Sequence, residues 1–174
     1  MEGLNAKERW ITAEINEMLS LLTTISRPFC IKDGDSTVSL GSSQNTLLCY
    51  VASKEELKDA LIELCDGIEE GPHELQKHIM WLLVNISIDL GGAEFISQAL
   101  LPRFQHLREI TFQTSKRMLM LASNLCYHTL EKHKHIRQMI GRILVLCSPP
   151  PEDPVASKCY QNVLMAMKMC EQFE

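Results

Sequence analysis

Apolar residues recur at intervals of three and four along most of the chain, the spacing that places them on one face of an α-helix. Trp10, Ile11, Ile15, Met18, Leu19 and Leu22 mark a first helix over residues 5–26, which Pro28 closes. The next stretch, "PFCIKDGDSTVSLGSSQN" at residues 28–45, is rich in Gly, Ser and Asp and reads as mostly loop; its "CIKDGDSTVSL" portion is the one place for a strand. Ser53 with Glu56 three residues on forms a capping box ahead of "KEELKDALIELCDGI", a strongly amphipathic helix. Further helices are expected at about 74–88, 93–107, 112–128, 132–147 and 155–170, divided by the short polar stretches "DLGG", "REIT", "TLE" and "SPPPEDP". The pattern predicts an all-α chain.

Self-similarity runs through these helices. Asn45, Asn85 and Asn124 are 40 and 39 residues apart. Leu57, Ala60, Leu61, Ile62 and Ile68 each have an apolar or small counterpart 39 residues later, at Ile96, Ala99, Leu100, Leu101 and Leu107. A third copy puts Met139, Ile140, Ile143 and Leu146 in the places of Leu100, Leu101, Phe104 and Leu107. A period near 40 in helical units indicates an α-solenoid, in which each unit buries its apolar face only against its neighbours.

The stretch "GGAEFISQALLPRFQHLREITFQTSKRMLMLASNL", Gly91 to Leu125, resembles one armadillo repeat: a Gly-led start, an L-P-x-x-x-x-L pattern, a polar turn and a long helix ending in S-N-L. "W-L-L-V-N", Trp81 to Asn85, resembles the W-x-x-x-N pattern of the family's third helix. The resemblance covers roughly residues 53–170, with the HEAT repeat as the close alternative. It implies a right-handed α-α superhelix of about three repeats behind an N-terminal helix. The expected organisation is a single domain over residues 1–174, with the helix at 1–27, the loop at 28–45 and the repeats at 46–174.

In that family the third helices line a concave groove, where the Asn amide bonds the main chain of an extended peptide and the Trp packs on its side chains. The resemblance therefore implies a partner groove of Trp81, Asn85, Met120, Asn124 and Asn162. Here the Trp position is kept once, being Met120 one repeat later and Lys158 before Asn162. That implies a general peptide or protein groove rather than a receptor for long basic peptides. The residues alone also allow another role, with Trp81 as a core aromatic and Asn85 and Asn124 satisfying backbone groups between helices.

Composition narrows the function classes. The formal net charge of -5 over 174 residues argues against a general nucleic-acid or membrane surface, which needs concentrated positive charge. A local basic face from Arg117, Lys132, His133 and Lys134 would be the nucleic-acid alternative. The longest apolar runs, "MWLLV" and "ILVLC", are far short of a membrane span, and "MEGLNAKER" is polar, unlike a signal peptide. Seven cysteines without a C-x-x-C pair read as free thiols in a reducing compartment, cytoplasmic or nuclear.

Candidate chemistry is sparse. "HELQKH" sets His73 and His78 five apart, not the four that aims two histidines at one metal. Cys126, His128, His133 and His135 have metal-ligand types but no matched second pair, and read as the surface of a repeat turn. No phosphate loop and no nucleophile elbow is present. The sequence therefore assigns no catalytic residue, metal or cofactor, and its leading expectation is a scaffold or adaptor module with a protein or peptide partner. A further alternative is the assembly domain of a larger scaffold protein, since Met165, Met167 and Met169 alternate along the last helix and cannot share one face, which suggests a surface for self-association, for a docked partner or for a further segment of a longer chain.

Overall fold

A computed structural model describes residues 17–18, 30–33, 36–39, 54–66, 68, 73–108, 110–129, 134–148 and 152–171. Of the first expected helix only Glu17 and Met18 are described; both are helical, and the Ser53 cap and the Asn45 repeat start lie outside these residues. Within the segment expected as mostly loop, Cys30–Asp33 (β1) pairs antiparallel with Ser36–Ser39 (β2), Ile31 opposite Val38 and Lys32 opposite Thr37. The β-branched residues Ile31, Thr37 and Val38 favour a pleated pair, and Gly34-Asp35 between them is a turn-type dipeptide.

From Glu55 onward every described element is helical. Helix α1 is Glu55–Asp66 and α2 is His73–Ile86. Gln76 ties them together by donating from Nε2 to the Ile68 carbonyl at 3.0 Å. A single rod then runs from Leu90 to His106: α-helical over Leu90–Phe95 (α3), π over Ile96–Leu100 and 3-10 over Leu101–His106. Pro102 explains the change of winding, because it lacks an N–H and its ring collides with the carbonyl four residues back. The chain widens ahead of it, with Leu101 N bonding Ile96 O, and Arg103 Nε donates to the Ala99 carbonyl at 3.0 Å. The sequence pattern expected one helix at 93–107 and could not show this division.

The remaining helices are α4 Phe112–Thr129, α5 Lys134–Leu146 and α6 Pro154–Glu171. Thr111 caps α4, its Oγ1 accepting from Thr114 N at 3.2 Å. Asp153 caps α6: Oδ1 accepts from Val155 N and Ala156 N, each at 3.0 Å, with Pro154 at the first helical position. Its other oxygen holds Lys116 Nζ at 2.7 Å, which joins the starts of α4 and α6.

Helix α4 is the middle of the assembly, packing most extensively against α6 on one side and α2 on the other, while the rod touches both α1 and α5. The buried side chains form one continuous cluster reaching every helix, from Leu61 and Cys65 in α1 to Ala156 and Val163 in α6. Gly92 is required by this packing, since a Cβ there would overlap the Ile86 carbonyl oxygen where α2 turns into the rod. Outward charges pair across elements, as in Asp66 of α1 with Arg103 of the rod.

Candidate interaction surface

Three hydrogen bonds set the register of α2 against α4. Arg117 Nη1 donates to the Lys77 carbonyl at 2.6 Å, Asn124 Nδ2 to the Val84 carbonyl at 3.2 Å, and His128 Nε2 to the Ile88 carbonyl at 3.0 Å; each pair is 40 residues apart. A constant offset at both ends means that the helices run parallel, side by side. Donors on α4 thereby satisfy carbonyls along α2 and at the turn beyond it. Lys116 with Asp153 and Ser123 with Cys159 give α6 the same direction on the other side of α4.

These contacts place the expected groove residues. Trp81 is half-buried, and the Arg117 guanidinium stacks 5.0 Å from its ring centroid. Burial of that guanidinium lowers its pKa, with Glu74 opposing the shift. Asn85 is only 4 % exposed, so it lies inside the fold. Asn124 is half-buried and uses Nδ2 twice, on the Val84 carbonyl and on Ser87 Oγ at 2.9 Å, while Ser87 Oγ itself donates to Val84 O at 2.8 Å. Met120 is half-buried and Asn162 is exposed. Trp81, Met120, Asn124 and Asn162 therefore sit on the three parallel helices with some surface open, whereas Asn85 does not.

Met120, Asn124 and Tyr127 follow one another at i, i+4 and i+7 and form one row on α4. Tyr127 is 86 % exposed, the most exposed large apolar residue described. It is absent from the residues that the W-x-x-x-N pattern singles out, although its helical spacing from Asn124 was there to be read. On α6, Met165 and Met169 are 65 % and 53 % exposed, one turn apart, while Met167 packs on the core. The alternation expected of the three methionines thus separates into two outward and one inward.

Of the expected basic face, Arg117 is the residue whose side chain is described. Arg117 is taken up by Trp81 and Lys77, Lys116 by Asp153, and Arg103 by Asp66. Lys132 and His133 lie outside the described residues, and Lys134 opens α5 beyond the far end of α4. His128, considered above with Cys126 as a ligand type, directs Nε2 to the Ile88 carbonyl. Burial pushes the Cys65 thiol up to about 12, and burial with a smaller contribution from Cys170 does the same to Cys126, so neither carries a thiolate at neutral pH. No helix among the described residues is long and apolar enough to cross a membrane.

On the other side of α4 an apolar cavity of about 380 Å³ opens between the 3-10 turns of the rod and α5. Comparison with protein-family models, with curated proteins and with solved structures finds no match.

Proposed function

We propose that the chain is a protein-interaction module of α-solenoid build, binding a partner protein or peptide across the face of α2, α4 and α6. The observation that carries this reading is the constant 40-residue offset of Arg117, Asn124 and His128 against α2. It supports the reading because equivalent helices of successive repeats, as in armadillo or HEAT pairs, would stand in such a parallel register. Repeat stacks of this kind present extended surfaces, and their chemistry is burial with main-chain hydrogen bonding.

In this reading the working residues are Trp81, Met120, Asn124, Asn162 and the added Tyr127. Asn124 serves both sides of the helix layer, with Nδ2 bonded inward to α2 and Oδ1 left to accept an N–H from a partner main chain. Asn85 supports the layer from inside. Tyr127 is the strongest anchor, since exposed aromatic side chains dominate interface energetics once covered.

The test is quantitative capture from cell lysate by wild type and by Tyr127→Ala, followed by measured affinity for whatever is retained. Because Tyr127 touches little of the core, its variant keeps the melting temperature and loses at least about tenfold in affinity. Retention of every partner at full strength by a folded Tyr127→Ala protein would reject this surface. Self-association is the second reading, favoured by Met165 and Met169 exposed one turn apart on α6. A concentration-dependent sedimentation coefficient that Met165→Glu abolishes would select it.

A further inference from the structure

Helices α1 and α5 flank the rod, α2 and α6 flank α4, and Gln76 ties α2 to the end of α1, so α1 and α6 stand at opposite ends of the described stack. Their outward charges differ in sign. Glu56, Asp59 and Glu63 fall within about 60° of one another round α1, on the side opposite the buried Leu61 and Cys65. All three are exposed, and none has an ion-pair partner among the described residues. Along one edge of that face Leu57 is 37 % exposed and Ala60 is exposed one turn on.

On α6, Lys158, Met165 and Met169 fall within about 40° of one another, on the side opposite the buried Ala156 and Val163. Lys158 is exposed, as is Lys168 on the flank of the same face, and neither is ion-paired among the described residues. From Pro154 to Cys170, "PVASKCYQNVLMAMKMC" holds no Asp or Glu. Each end therefore joins exposed apolar side chains to charge of one sign, negative on α1 and positive on α6.

Sign decides which of these faces can meet. Two α1 faces would add carboxylate to carboxylate, and two α6 faces would add lysine to lysine. The pairing of α1 with α6 brings unlike charges together while it covers Leu57, Met165 and Met169. Complementarity of this kind fixes orientation and suppresses wrong pairings.

We infer that the chain associates head to tail with a second copy, the acidic face of α1 on one molecule seating on the Lys and Met face of α6 on the next. The inference rests on the self-association reading and names the surface that meets α6. Because the two faces differ and lie at opposite ends, the contact is heterologous and repeats from copy to copy instead of closing at two.

Sedimentation of the full chain tests it by charge reversal and rescue. Wild type should show a mass that rises with concentration beyond that of a dimer and falls as salt screens the contact. Asp59→Lys with Glu63→Lys reverses α1, and Lys158→Glu with Lys168→Glu reverses α6; these positions are exposed, so both variants keep the wild-type melting temperature. Each variant alone should associate at least about tenfold more weakly than wild type. In an equimolar mixture every reversed face meets an unlike one on the other variant, and association should return. A mixture that stays monomeric, a wild type that stops at a dimer, or association at full strength in Asp59→Lys with Glu63→Lys would overturn the inference. If that last result accompanies loss in Met165→Glu, self-association stands and α1 has no part in it; a wild type that is monomeric at every concentration removes both.

Discussion

Asn124 Nδ2 lies 2.9 Å from Ser87 Oγ and 3.2 Å from the Val84 carbonyl, so one amide on α4 closes the C-terminal turn of α2. Helix ends leave their last carbonyls without intrahelical partners, and a neighbouring side chain is one way of satisfying them. Asn124→Ala removes both bonds and should cost about 1–3 kcal/mol in denaturant unfolding. Asn162→Ala, on the exposed side of α6, should stay within about 0.5 kcal/mol. Equal effects at the two positions would remove the distinction drawn between them.

Arg117 and Trp81 form a second tie between the same helices, a guanidinium over an indole at 5.0 Å. A double-mutant cycle with Trp81→Ala and Arg117→Ala should give a coupling of about 1 kcal/mol. Trp81→Ala alone should cost roughly 2 kcal/mol, less than the loss of a fully buried aromatic, because the ring is half-buried. Strict additivity of the two substitutions would show that the stacking contributes nothing.

Two helical glycines should respond in opposite directions. A methyl group at Gly92 would overlap the Ile86 carbonyl, so Gly92→Ala should destabilise by roughly 1–3 kcal/mol or prevent folding. At Gly141 the nearest atom to an added Cβ is Met167 Cε at 4.0 Å, an ordinary contact. Gly141→Ala should therefore raise stability by about 0.5–1 kcal/mol through helix propensity. Thermal melts of the two variants check both signs.

The cap of α6 predicts acid sensitivity. Lys116 bonding, followed by the Ala156 amide, holds the Asp153 pKa below the usual carboxylate value. A depressed folded pKa contributes stability that is present above the unfolded value of 3.8 and is lost as pH falls through the folded one. In Asp153→Asn that part of the acid-induced loss should be missing, so wild type and variant converge in melting temperature as pH falls below 3.8 and through the lowered folded value, and separate near neutrality. A constant gap between them at all pH values would contradict the assignment.

Helix spans and the core face were legible because they follow from period: Leu61, Leu100 and Leu101 are buried where the repetition placed apolar residues. Boundaries agreed to within a few residues, as for α4, expected at 112–128 and found at Phe112–Thr129. The winding of the rod was not legible, because a Pro inside an otherwise helical pattern announces a disturbance without saying whether the chain breaks, kinks or widens. At the surface, spacing identified Trp81 and Asn85 as neighbours on one helix face but not their depth. Asn85 is nevertheless covered, which is a property of packing and not of the helix alone. The exposure of Tyr127 was not legible for the same reason: spacing places it in a row with Met120 and Asn124 but does not give its depth.

The most direct measurement of the central claim, that α2 and α4 lie in parallel register with a 40-residue offset, is a pair of distances between site-specific labels. Glu74, Gln113 and Tyr127 are all exposed and mark the start of α2, the start of α4 and the end of α4. A parallel register brings the Glu74 and Gln113 backbones to about 10 Å, the spacing of packed helices, and holds Glu74 and Tyr127 about 20 Å apart along the axis. The account predicts that the first distance is the shorter by at least about 8 Å. Equal distances, or a shorter separation between Glu74 and Tyr127, would contradict it.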